Sequence, residues 1–154
     1  MNRTNGLELA LSQALERRDA AARVVAQARQ GWMAARAQLD QLETYAGECT
    51  DRWAAKQVGC MPEIMRHHYQ FMARLTHAIV LQTGIVGEAL AGIDRETGVL
   101  REAESRLESL RQLNETRLRG ERQLQDRREQ KQSDESASLQ YRRMVESRLA
   151  GGAL

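Results

Sequence analysis

The fold is decided by residues 7–53, LELALSQALERRDAAARVVAQARQGWMAARAQLDQLETYAGECTDRW. Along this stretch an apolar or small residue recurs at spacings of four and three, and only Arg18 departs from that chemistry. The repeating positions are Leu7, Leu11, Ala14, Arg18, Ala21, Val25, Ala28, Trp32, Ala35, Leu39, Leu42, Ala46, Cys49 and Trp53. A repeat of about 3.5 residues kept over so many heptads requires a second long helix alongside in a left-handed supercoil.

The one convincing interruption is the stretch KQVGCMPE, from Lys56 to Glu63. Gly59 suits the left-handed position after a helix, Pro62 suits the first position of the next helix, and the Glu63 carboxylate favours the positive end of its dipole. We therefore predict a first helix over about 4–57, a turn over about 58–62 and a second helix over about 63–147. All of these belong to a single elongated domain over residues 1–154.

An antiparallel return from this turn pairs residues whose numbers add to about 121. Trp53 then faces His68, Leu42 faces Ile79 and Leu11 faces Leu110. Large residues repeatedly meet small ones, as dense packing requires. The predicted fold is all-α, a long antiparallel two-helix coiled-coil hairpin, and a register shifted by one heptad remains open.

Two features of this hairpin leave alternatives open. After about residue 118 the second helix has no partner within the chain, so it forms an overhanging C-terminal helix. Its mixed charges at helical spacing suit either a frayed tail or a helix that awaits another protein, and we expect partial disorder. Gly31, Gly84, Gly87, Gly92 and Gly98 each cost about 1 kcal/mol in a helix relative to alanine. Gly84 and Gly87 oppose Ala37 and Ala34 in the predicted register, which favours close backbone approach over a bendable middle.

Composition excludes several classes of function. The formal charge of +2 is too balanced for a nucleic-acid binder. There is no signal-type segment and no apolar run of about 18 residues, so we expect a cytoplasmic protein without membrane insertion. Cys49 and Cys60 read as free thiols, and His67, His68 and His77 lack the spacing of metal ligands. No catalytic motif is present, and we expect neither an enzyme nor a cofactor.

One apolar stripe lies beside the seam of the second helix. Its members recur every seven residues: Ile64, Phe71, Ala78 and Ile85. Such a stripe commonly covers the seam of a coiled coil. Phe71 is the only phenylalanine and lies near Tyr45 and Tyr69 in the predicted register, and an exposed aromatic cluster of this kind marks an interaction site.

Further patterns extend over most of the chain. They are Gln38-Leu39 with Leu42 and Tyr45, then His68-Tyr69-Gln70-Phe71 with Leu75, Ala78, Ile79 and Gln82, and finally Gln130-Lys131 with Asp134-Glu135. With these patterns the chain resembles the flagellar FliJ family, the small soluble coiled-coil component of the bacterial type III protein export apparatus.

The resemblance implies a hairpin similar to the central stalk of rotary ATPases. Such a stalk binds the hexameric export ATPase, promotes its ring assembly, and links it to the cytoplasmic domain of the membrane export gate and to export chaperones. The implied location is the cytoplasmic face of the inner membrane, as a peripheral protein.

The resemblance also implies two sets of binding residues, the first carried over position by position and the second placed by the analogy with the stalk. The gate-facing patch would be Gln38, Leu42, Tyr45, Phe71, Leu75 and Ala78. The ATPase-facing cations of the tail would be Arg117, Arg122, Arg127, Arg128 and Lys131. Cys49 and Gln82 depart from the family pattern at the ends of the patch. The alternatives are the equivalent stalk of a virulence-type secretion system, or a cargo chaperone or coiled-coil scaffold.

Overall fold

The computed structural model describes residues 2–56, residue 59 and residues 61–152 of the chain, with side chains from Asn5 onward. Helix α1 is Asn2–Lys56, with 55 residues, and helix α2 is Pro62–Gly151, with 90 residues. The two helices pack against each other, which confirms the all-α prediction. Helix α2 continues four residues beyond the predicted end near residue 147.

The connection between the helices has the predicted local chemistry. Gly59 has a φ of 93°, the left-handed conformation that glycine adopts without a steric penalty. Pro62 is the first residue of α2, and the backbone N–H of Met65 donates to the Met61 carbonyl at 3.2 Å. Glu63 lies in the first turn, where its charge favours the helix dipole. Gln57, Val58 and Cys60 lie outside the described residues, so the free thiol of Cys60 stays a prediction.

Contacts divide the chain into two units. One unit is Leu9–Leu107, and the other comprises Met1–Glu8 with Glu108–Leu154. All of the buried side chains described in the first unit lie at seam positions: Ala14, Ala21, Val25, Ala35, Leu39, Leu75 and Leu107. Every other predicted seam residue from Leu11 to Trp53 is half-buried, including Arg18, whose Nε donates to Asp19 Oδ1 at 2.8 Å. The seam read from the sequence is therefore the buried face.

The interhelical contacts of the unit Leu9–Leu107 include one of the predicted pairs and others displaced from it by a few residues. The rings of Trp53 and His68 stack with centroids 4.0 Å apart, and their numbers add to 121 as predicted. Further along, Gln82 Nε2 donates to the carbonyl oxygen of Ala35 at 2.9 Å and to Gln38 Oε1 at 3.3 Å. A register shifted by a whole heptad is not observed at these pairs.

The helical glycines correct one expectation. A Cβ atom built at Gly31, Gly84 or Gly87 would meet no heavy atom within 4 Å. The prediction that Gly84 and Gly87 allow the two helices to approach closely is therefore wrong. These positions are exposed, so the reason for glycine lies outside the contact between α1 and α2.

The C-terminal segment corrects a second expectation. We expected partial disorder after about residue 118, but the chain is helical up to Gly151. Charge pairs four residues apart support this helix: Glu115 with Arg119 at 3.6 Å and Arg117 with Glu121 at 3.8 Å. No proline follows Pro62, so nothing breaks the backbone hydrogen bonds. All residues from 121 to 152 are exposed.

Helix α2 also departs from the expected hydropathy. One window of 18 residues reaches a mean hydropathy of 1.2, so the helix passes a test of length and composition for a membrane span. We expected no stretch of this kind. The finding is weak evidence for a membrane span, because it concerns one helix and rests on length and composition alone.

Candidate partner-binding surface

The aromatic pair Tyr45 and Phe71 lies on one exposed surface of the unit Leu9–Leu107. The two rings meet edge to face, with centroids 6.0 Å apart and an interplanar angle of 90°. Such a contact stabilises two aromatic side chains in a fixed relative position. Both nevertheless remain exposed, at 45% for Tyr45 and 41% for Phe71. The helices thus hold two large aromatic groups in place without burying them, as an interaction site requires.

A shallow groove adjoins Tyr45 on this surface. Its volume is about 340 Å³, and its lining residues are Gln38, Gln41, Leu42, Tyr45 and Gln82. The side chain of Gln82 is held across the groove by its hydrogen bonds to the Ala35 carbonyl and to Gln38. Polar atoms fixed around an apolar floor can orient a bound side chain. The structure therefore brings together three of the gate-facing residues implied by the family resemblance.

A second groove adjoins Phe71 toward the turn. Its volume is about 170 Å³, and its lining residues are Cys49, Arg52, Trp53, Lys56, His68 and Phe71. Trp53 also makes an edge contact with Tyr69, at a centroid distance of 6.4 Å. The aromatic cluster is thus larger than the sequence analysis indicated. The predicted pairing of Trp53 with His68 is the signal that could have revealed the larger cluster, but this pairing was interpreted only as packing in the seam.

The other two residues of the implied patch have different environments. Leu75 is only 8% exposed, so it belongs to the packed seam and supports the surface from beneath. Ala78 is half-buried and offers one methyl group at the edge of the seam. The exposed chemistry of the patch therefore comes from Gln38, Tyr45 and Phe71.

The tail cations fall into two groups in the unit that contains Glu108–Leu154. Arg117 is half-buried, and its guanidinium donates to Asn114 Oδ1 at 3.1 Å and pairs with the Glu121 carboxylate. Its Nε atom is buried and has no hydrogen-bond partner among the described residues. Arg122, Arg127, Arg128 and Lys131 are exposed. Arg127 and Lys131 line one surface of α2 that also carries acidic residues of the same helix. Only the exposed group is accessible to a partner.

His, Cys, Asp and Glu side chains are spread along the part of the chain that the structure describes. There, no group of three or more His, Cys, Asp and Glu side chains could hold a metal ion. The surface around Tyr45 and Phe71 offers aromatic, amide and charged groups for contact with another molecule.

Comparison with known proteins settles the family. A family model described as "Flagellar FliJ protein" matches residues 4–146, nearly the whole chain. The chain belongs to the FliJ family. No curated protein and no solved structure matches it.

Membership in the FliJ family assigns the chain to flagellar protein export and so to protein partners of that system. The family is not known as an enzyme family. The FliJ match includes both the Tyr45 and Phe71 surface and the exposed cations from Arg122 to Lys131. The long helical pair also fits a coiled coil, as the resemblance implied.

Proposed function

We propose that this FliJ-family protein is the stalk of the flagellar export machinery. In this proposal α1 and α2 form an antiparallel coiled-coil hairpin, and the end of α2 overhangs without a partner in the chain. The overhang enters the ring of the hexameric export ATPase and promotes its assembly and activity. The observation that carries the proposal is the family match over residues 4–146.

Two properties of α2 support the ATPase contact. The helix is exposed on all sides from residue 121 to residue 152, so any side of it is accessible to a ring of identical subunits. Its exposed side chains carry charges of both signs, and exposed ion pairs are individually weak, typically below about 1 kcal/mol. A surface that makes many weak contacts can exchange one ATPase subunit for another during ATP turnover. Arg122, Arg127, Arg128 and Lys131 are the cations proposed to make these contacts.

The surface around Tyr45 and Phe71 is proposed to bind the cytoplasmic domain of the export gate. Gln38 and Leu42 complete the binding site, while Leu75 and Ala78 support it. Export chaperones are the further partners. The protein is proposed to act in the cytoplasm, peripherally at the inner membrane, without cofactor, metal or nucleic acid.

The test is a titration of the purified cognate export ATPase with this protein. ATP turnover and the fraction of hexamer should both rise and should saturate near stoichiometric amounts. No change in either quantity would contradict the stalk proposal. Co-purification from the native cytoplasm separates the alternative, because a cargo chaperone would retain an exported filament subunit instead of the ATPase.

A further inference from the structure

The outer side of α2 between Leu75 and Gly92 carries an exposed apolar surface. These eighteen residues contain one charged side chain, Glu88, in a chain in which 29% of residues are charged. Val80 is 61% exposed, Leu81 56% and Leu90 50%, while Gly84, Gly87 and Ala91 are also exposed. A helix that is apolar on all sides is normally buried on all sides. Here the contact with α1 covers only one side.

The glycines at the centre of this surface have open space before them in the part of the chain that the structure describes. A Cβ atom at Gly84 or Gly87 would meet open space, although glycine destabilises a helix interior by about 1 kcal/mol relative to alanine. Glycine in a helix also allows another backbone to approach closely. The large exposed residues Val80, Leu81 and Leu90 flank these two positions, so an approaching helix would bury them.

The surface is complementary to the same surface of a second, antiparallel copy of α2. If α2 meets an identical, antiparallel α2 so that facing residue numbers add to 171, Gly84 faces Gly87, Val80 faces Ala91 and Leu81 faces Leu90. Farther from the axis His77 faces Asp94, and nearer to it Thr83, whose hydroxyl donates to the Ile79 carbonyl, faces Glu88. These pairings place the two glycines and the apolar residues along the centre of the contact, and they place the His77 imidazole, a hydrogen-bond donor, against the Asp94 carboxylate. An interface with twofold symmetry requires this self-complementarity, whereas binding to an unrelated surface does not.

We propose that this outer side of α2 is the interface between two copies of the chain. The two α2 helices cross antiparallel, with the twofold axis between Gly84 and Gly87, and the glycine pair sets a short distance between the backbones. The contact between His77 and Asp94 fixes the register at both ends. The proposal is independent of the contact with the ATPase, because none of its residues belongs to the tail.

The test is analytical ultracentrifugation of the full chain over a wide concentration range. The wild-type chain should shift from monomer to dimer. Gly84→Leu should weaken the dimer by at least about tenfold, because overpacking separates the backbones. Its monomer should keep its helical circular dichroism, since the added side chain meets no atom of its own chain. Gly47→Leu is the matched control, an exposed helical glycine of α1 that also has open space around its Cβ position.

A charge exchange tests the register. His77→Glu should weaken the dimer severalfold because it places two carboxylates together, and Asp94→Lys should weaken it because it removes the acceptor that faces the His77 N–H. The double variant should restore the dimer, since it pairs a carboxylate with an ammonium group. A chain that remains monomeric at all concentrations would overturn the proposal. So would a dimer that tolerates Gly84→Leu, or charge variants whose effects add without rescue. Flotation of the monomer with vesicles of phosphatidylglycerol and phosphatidylethanolamine, without dimer formation, would assign the surface to lipid instead.

Discussion

The indole ring of Trp53 stacks on the imidazole ring of His68, with centroids 4.0 Å apart and an interplanar angle of 7°. The two residues come from opposite sides of the turn, so the contact joins α1 to α2 close to their connection. It fixes the register of the pairing at that end.

Trp53→Ala should therefore destabilise the hairpin near the turn. The indole is half-buried, so we expect the free energy of unfolding to fall by about 1–3 kcal/mol, below the range for a fully buried tryptophan. Urea denaturation followed by circular dichroism measures this change. Tyr141→Ala is the control, because Tyr141 is exposed, and an equal loss in both variants would argue against a specific role for the stacked pair.

Gln82→Leu should make the helical pair more stable and less uniquely aligned. Gln82 is the polar seam residue whose side chain bonds to the Ala35 carbonyl, and a polar residue in a coiled-coil seam specifies register at a cost in stability. The midpoint temperature of thermal denaturation should rise. Electron spin resonance distances between labels at Gln30 and Arg95, in a variant without native cysteines, should broaden. A single sharp distance, unchanged from the parent, would refute the proposed role in register.

Phe71→Ala should separate the two proposed activities. Removal of the exposed ring should weaken binding to the gate domain by about tenfold, since truncating an aromatic anchor typically costs 1–2 kcal/mol or more. Stimulation of the ATPase should persist. Binding measured by calorimetry and ATP turnover measured with the same preparation check both statements. Ile64→Ala, in the same stripe but outside the implied patch, should leave both unchanged, and parallel losses in Phe71→Ala would point to unfolding.

The tail cations should differ in their effects. Combined reversal of Arg122 and Arg128 to glutamate should reduce stimulation of the ATPase and should leave helicity close to that of the parent, because both side chains are exposed. Arg117→Ala should instead lower stability by about 1 kcal/mol, since its guanidinium bonds to Asn114 and Glu121 within its own helix. Circular dichroism and turnover assays separate the two cases. Stimulation that survives the double reversal would place the ATPase contact elsewhere.

Two glycine substitutions should change the free energy of unfolding in opposite directions. Gly31→Ala should raise the free energy of unfolding by about 0.5–1 kcal/mol, because the site is helical and its Cβ position is open. Gly59→Ala should lower it by about 1 kcal/mol, since its φ of 93° is unfavourable for residues with a side chain. Thermal denaturation measures both changes. Destabilisation by Gly31→Ala would show that this position makes a contact requiring glycine.

The sequence by itself determined the secondary structure and the buried face. The seam from Leu11 to Trp53 and the turn chemistry of Gly59 and Pro62 depend on local periodicity and backbone preference, which operate along the chain. The same reasoning placed Tyr45 near Phe71 and paired Trp53 with His68. It placed the tail in the second helix but favoured partial disorder there, although charge pairs such as Glu115 with Arg119 support the helix.

Only the tertiary structure decided what each side chain contacts across the pair. It showed that Leu75 is buried while Phe71 is exposed, that Gln82 bonds to the Ala35 backbone, and that Gly84 and Gly87 have open space before them. A heptad pattern repeats almost identically every seven residues, so it identifies a face without giving distances to the opposite helix. Those distances depend on the sizes of all side chains in the interface together, which no single stretch of sequence contains.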